Sequence, residues 1–145
     1  MLSKGWDQRK KQYDVVVIGS GYGGAIMAAR ISAANRQKTV CILERGREWP
    51  VGTFPDTLRA VASATRHPLT NPLGLYEFLT FSDIAVIKGS GLGGTSLINA
   101  NVAIVPDEEA FRQIAWPRTI DLTELQPYYE TAVEMLAARP HPKAT

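Results

Sequence analysis

The sequence predicts an α/β fold with a parallel sheet. Three observations carry that prediction. The run YDVVVIGS (residues 13–20) is short and unbroken by polar positions; a small-residue run of helical spacing follows it; and a second apolar run, KTVCILERG (residues 38–46), comes next. A strand without polar alternation is the kind covered on both faces, as in a parallel sheet. Strand, helix and strand in about thirty residues make a βαβ unit, and its right-handed crossover sets the two strands side by side and parallel.

Each element has a local reason. In GGAIMAARISAAN, alanine and methionine favour helix, Ile26, Ala29, Arg30 and Ala33 recur at helical spacing, and Asn35 is placed to close the helix. Residues 46–80 are punctuated by Pro50, Pro55, Pro68 and Pro72. One helical piece is expected there, in PDTLRAVASAT with Asp56 in its first turn, and the remainder reads as a long surface excursion. Strand character returns at Ile84–Lys88. A second glycine cluster follows, then a short turn or helix, then an extended run near Val102–Val105. Two helices end the chain. Asp107 is placed to cap EEAFRQIA, and Asp121 with Glu124 forms an acidic variant of a capping box. Leu125, Tyr128, Tyr129, Ala132, Val133 and Leu136 then share one helical face, and Pro127 is expected to separate the first turns from the rest.

Composition bounds the function. With 145 residues, 45% hydrophobic and 21% charged, the chain is ordinary globular material with enough length for one core. A net charge of +2 gives no case for a nucleic-acid partner. Lys4, Arg9, Lys10 and Lys11 make residues 1–12 a solvated basic arm, leaving residues 13–145 as the domain proper. The lone cysteine, Cys41, excludes a disulfide within the chain and reads as a small buried hydrophobe. No secretory leader is legible and no apolar run is long enough for a membrane span, so a cytoplasmic location is expected. No metal site is expected.

The chemistry lies in the glycines. Gly19, Gly21 and Gly24 give G-x-G-x-x-G between the first strand and the helix. The spacing allows a sharp turn, a pyrophosphate against bare backbone, and a helix packed close to the sheet. The phosphates would meet the free N–H groups at the helix start. Gly23 adds permissiveness and Tyr22 an aromatic edge at the mouth. Glu44, twenty positions after Gly24, ends the second strand, where a carboxylate accepts from the ribose 2′-OH and 3′-OH and repels a 2′-phosphate. Arg45 and Arg47 read as solvated neighbours. These features together specify a Rossmann-like dinucleotide turn, and the ADP half they hold is common to FAD and NAD.

The second cluster reads Gly89-Ser90-Gly91-Leu92-Gly93-Gly94-Thr95-Ser96-Leu97-Ile98-Asn99, and beyond Asn99 the chain continues Ala100-Asn101-Val102-Ala103-Ile104. Seventy positions after the first cluster, this segment resembles the first signature of the glucose–methanol–choline (GMC) oxidoreductase family, in its cholesterol oxidase-like branch. The likeness extends over nearly all of residues 13–142. It departs at Ala100, where the family's glycine is usual. The resemblance implies FAD as cofactor. Gly19, Gly21, Tyr22, Gly23 and Gly24 would hold the pyrophosphate, and Glu44 the adenosine ribose. Gly94, Thr95, Asn99, Ala100 and Val102 would approach the flavin end. It further implies oxidation of a small-molecule alcohol, a sterol among the candidates, by hydride transfer to the flavin. The family's base is a histidine far toward the C-terminus. His67 and His141 stand in different contexts, so no catalytic residue is assigned. The resemblance also implies the N-terminal part of a larger two-domain fold, inactive and aggregation-prone by itself. The alternatives are a module that binds FAD or ADP without its own catalysis, a remnant, or a fragment of an NAD-dependent dehydrogenase.

Overall fold

A computed structural model describes residues 1–140 of the chain; His141 lies outside the described residues. The chain is α/β, and it divides into two units, Met1–Asn99 and a second that begins at Ala100.

The first unit opens with the βαβ element. Strand β1 (Val15–Ile18) and strand β2 (Val40–Leu43) pair in parallel, Val15 opposite Val40 and Ile18 opposite Leu43, with helix α1 (Tyr22–Ala34) between them. Asn35 does close α1, its N–H bonding the Ile31 carbonyl at 3.2 Å, though with extended rather than left-handed backbone. The residues noted at helical spacing are not the ones that α1 turns inward. Gly24, Ala28 and Ile31 are the less exposed positions, while Ile26, Ala29 and Ala33 are exposed. The reason is closeness of approach. A Cβ on Gly24 would run into the Gly19 carbonyl oxygen and come to 3.3 Å from Cγ1 of Val17, so only the smallest side chains fit that stripe.

Helix α1 covers one face of the strand pair. Val15 and Val17 are half-buried, whereas Val16 and Ile18, which alternate to the other face, are exposed, Ile18 at 88%. The expectation of burial on both faces is therefore not met. Cys41, on the same side as Val16, is only half-buried.

Residues 46–80 differ most from the reading as a surface excursion. They carry the core of this unit: Leu75, fully buried, with Trp49 and Ala64, packed by Phe54, Tyr76, Leu97 and Ile98. Helix α2 (Leu58–Ser63) is capped by Thr57, whose hydroxyl accepts the Ala60 N–H at 3.2 Å; Asp56 lies before the cap, not in the first turn. Strands β3 (Tyr76–Thr80) and β4 (Ala85–Gly89) form an antiparallel pair, Tyr76 opposite Gly89. Thr65 bridges onto Tyr76, which ties the end of α2 to this pair.

The basic arm is also less free than expected. A 3₁₀ turn spans Trp6–Gln8 with the Arg9 guanidinium 4.5 Å from the Trp6 ring centre. The backbone N–H groups of Leu2 and Ser3 donate to the Glu48 carboxylate at 2.8–2.9 Å. Those bonds hold the Glu48 carboxyl down at about 2.

In the second unit, residues 101–107 take no regular structure, so the expected extended run near Val102–Val105 forms no strand. Helix α3 (Glu108–Phe111) is capped by Asp107, which accepts the Ala110 N–H at 3.1 Å. Helix α4 (Leu122–Leu136) is capped by Asp121, which accepts the Glu124 N–H at 2.8 Å. Pro127 lies inside α4 and does not divide it. A proline this near the helix start removes a single bond, that to the Thr123 carbonyl, and its own carbonyl accepts the Thr131 hydroxyl at 2.9 Å. Of the apolar face expected on α4, Leu125 and Tyr129 are partly buried, while Tyr128, Val133 and Leu136 are exposed.

Candidate cofactor-binding site

The site is built where two glycine segments meet. Strand β1 delivers the chain into Gly19, whose N–H bonds the Leu43 carbonyl of β2 at 2.8 Å. Helix α1 starts at once, with Gly21 as its N-cap residue and no side chain capping it. Gly19, Gly21 and Gly23 have nothing within 4 Å of where a side chain would stand. The mouth of the turn is thus open backbone at an uncapped helix start, which suits an extended diphosphate.

The second segment closes against this turn. Gly94 has φ +61°, in the left-handed region, and a Cβ there would lie 2.9 Å from the Cα of Gly21. The two segments touch with no side chain between them. A 3₁₀ turn follows at Gly94–Leu97, and the Thr95 hydroxyl accepts the Gly89 N–H at 3.3 Å. Asn99 donates its side-chain amide to the hydroxyl of Tyr22. Ala100 and Val102 open the second unit, both exposed.

Ser20 is the residue that sequence reasoning missed. It is 3% exposed and joins both segments. Its backbone N–H and its hydroxyl donate to Oε2 of Glu44 at 3.0 and 2.6 Å, and its hydroxyl accepts the Gly93 N–H at 2.9 Å. The one available signal was the repetition of Gly-Ser-Gly in both motifs. The Gly46 N–H donates to Oε1 of Glu44 at 2.8 Å. Partial burial pushes the Glu44 carboxyl up, but the hydrogen bonds from Ser20 and Gly46 outweigh it and hold the group below the usual carboxylate range.

The neighbouring arginines are not simply solvated. Arg45 pairs with Glu77, which Arg66 and Lys88 also reach, at 3.0 and 3.1 Å. Burial raises the Glu77 carboxyl; the Lys88 bond and the three cations lower it further and win. Arg47 lies over the Trp49 ring at 3.7 Å. His67 holds its own loop together, its Nδ1 accepting the N–H groups of Leu69 and Thr70, both at 3.3 Å.

No family model matches the chain. Curated proteins do. The chain is 32% identical over 137 residues to a cholesterol oxidase of Mycobacterium tuberculosis, covering 94% of this chain and 23% of that protein. It is 29% identical over 125 residues to a cholesterol oxidase of Acinetobacter baumannii, with 86% and 22% covered. It is 27% identical over 147 residues to an oxygen-dependent choline dehydrogenase of Staphylococcus aureus, with 93% and 25% covered. The chain belongs to the GMC oxidoreductase family. It spans about a quarter of the length of the relatives it matches. In this GMC chain, the 94% matched to the Mycobacterium tuberculosis protein takes in both glycine segments and Glu44. No helix among the described residues is long and apolar enough to cross a membrane.

Proposed function

We propose that this chain is the FAD-binding N-terminal region of a GMC oxidoreductase that oxidises the CH–OH group of an alcohol. The observation that carries the reading is the bare backbone junction of Gly21 with Gly94, flanked by the ionised carboxylate of Glu44. When bound, FAD supplies the hydride-accepting chemistry. The chain's own part is to hold it. Gly19, Gly21 and Gly23, with the start of α1, take the diphosphate; Gly24 sets how near the helix stands; Glu44 takes the adenosine ribose. Gly94, Thr95 and Asn99, the last linked to Tyr22, serve the flavin end. Ala100 and Val102 are added to that end from the sequence resemblance alone. A sterol is the first substrate to try, because two of the relatives are named cholesterol oxidases.

The test is a thermal melt and a visible spectrum of the purified chain with FAD, ADP or NAD. Saturating FAD, at a hundred times its Kd, should stabilise the fold by about 2.7 kcal/mol, or roughly 10 °C in Tm. ADP should stabilise it less, and the flavin bands should shift. Stabilisation by NAD with none by FAD would overturn the reading.

A further inference from the structure

We propose that Ser20 is a positioning residue, which locks Glu44 and the second glycine segment into one arrangement and leaves the carboxylate a single open acceptor position for a ribose hydroxyl. The proposal rests on the dinucleotide reading above for its ligand, and on hydrogen-bond geometry for its mechanism.

A carboxylate offers about four lone-pair positions. On Glu44 three are taken. Oε2 receives both the Ser20 N–H and the Ser20 hydroxyl, and Oε1 receives the Gly46 N–H. One position remains, on Oε1. The sequence expectation that Glu44 accepts from both ribose hydroxyls therefore needs a change in Ser20. Its hydroxyl has one proton. That proton now goes to Glu44 at 2.6 Å, and the alternative acceptor, the Gly91 carbonyl, lies 3.4 Å away. A second ribose hydroxyl can donate to Oε2 only if the Ser20 proton turns from Glu44 to Gly91. Ribose recognition in the first segment is thereby coupled to the backbone of the second, which Ser20 already holds through the Gly93 N–H.

Ser90 provides a matched control. It stands at the same place in the second Gly-Ser-Gly, is equally buried at 3% exposed, and its hydroxyl has no hydrogen-bond partner among the described residues.

The experiment compares the full chain with Ser20→Ala, Glu44→Gln, the double variant and Ser90→Ala. Three readouts are taken: ADP and FAD binding by calorimetry, urea unfolding without ligand, and titration of the Glu44 carboxyl by carbon NMR. Ser20→Ala should weaken ADP binding about tenfold, the size of one hydrogen bond to a charged group. In the Glu44→Gln background the same change should cost less than about twofold, because the coupled partner is already gone. The ligand-free unfolding cycle should be non-additive in the same sense. Glu44 should titrate nearer its ordinary value in Ser20→Ala and stay where it is in Ser90→Ala, with the Gly46 bond still holding it partly depressed. Ser90→Ala should match the unmutated chain. Additive effects in the ligand-free cycle, an unmoved Glu44 titration, or an equal loss in Ser90→Ala would overturn the proposal. If the unmutated chain takes up neither ADP nor FAD, the dinucleotide reading falls, and the Ser20–Glu44 lock is judged on the ligand-free cycle. Should Ser20→Ala fail to fold, Ser20→Cys, of similar volume and with a weaker donor, is carried through the same cycle.

Discussion

Single residues at the glycine junction separate stability from binding. At Gly94 the backbone is left-handed and Gly21 stands in the way of a side chain, so Gly94→Ala combines torsional strain with a forced backbone shift. A loss of roughly 1–3 kcal/mol is expected from the midpoint and slope of urea unfolding. Gly23 has helical backbone and open space beside it. Gly23→Ala should stabilise the fold by about 0.5–1 kcal/mol through helix propensity while weakening ADP binding, because the new methyl stands where the diphosphate would lie. Calorimetry beside urea unfolding shows whether the two effects part in this way. Glu44 adds a pH dependence of defined sign. Its folded-state carboxyl is depressed below the ordinary 4.5, so its stabilisation is complete above that value and is lost as the pH falls through the lower folded value. Unfolding free energies of the unmutated chain minus those of Glu44→Gln should be flat at neutral pH and shrink below about 4.5. A difference constant down through the acid range would show that Glu44 is not held as described.

Among the elements, the β3–β4 pair carries a charge cluster centred on Glu77. Three cations converge on one carboxylate, with Glu77 and Arg66 both largely buried. Glu77→Gln keeps the shape and removes the only negative charge in the cluster. A loss of roughly 2 kcal/mol is expected, between the values for surface and buried pairs, and added salt should restore part of it by screening the remaining cations. Unfolding at low and high salt checks both. What was legible in the sequence follows the same division into local and distant physics. Strands β1 and β2 and helix α1 were readable because apolar runs and glycine spacing are themselves local causes. The caps at Asp107 and Asp121 were readable for the same reason. The core of Trp49, Ala64 and Leu75 was not. Its members are single residues in no periodic apolar run, and the prolines around them made the segment read as loop. At the site, Gly19–Gly24 and Glu44 declared themselves by spacing. Ser20 did not, because a serine between two glycines gains its meaning only from Glu44 and Gly93, which the fold brings to it.

At the scale of the molecule, the first unit leaves apolar surface open. Strands β1 and β2 pair only with each other among the described residues, and Val16 and Ile18 stand on the face that α1 does not cover. Covering those two side chains would contribute about 3 kcal/mol, and the unpaired strand edges add hydrogen-bonding groups beside them. The isolated chain should therefore self-associate as its concentration rises, and Ile18→Lys should suppress this without lowering the unfolding midpoint, since Ile18 is 88% exposed. Sedimentation velocity over a concentration series measures both chains; equal association by Ile18→Lys would place the sticky surface elsewhere. The contact between Ser20 and Gly93 carries one more consequence, for the time at which the site comes into being. The two residues are 73 positions apart. On a ribosome adding about 5–20 residues per second, the first glycine turn precedes its second wall by roughly 4–15 s. Glu44 follows Ser20 by 24 positions and can accept its hydrogen bonds early in that interval, but the Gly93 N–H that closes the other side of Ser20 comes last, so the junction described above is complete only after Gly94 has left the exit tunnel.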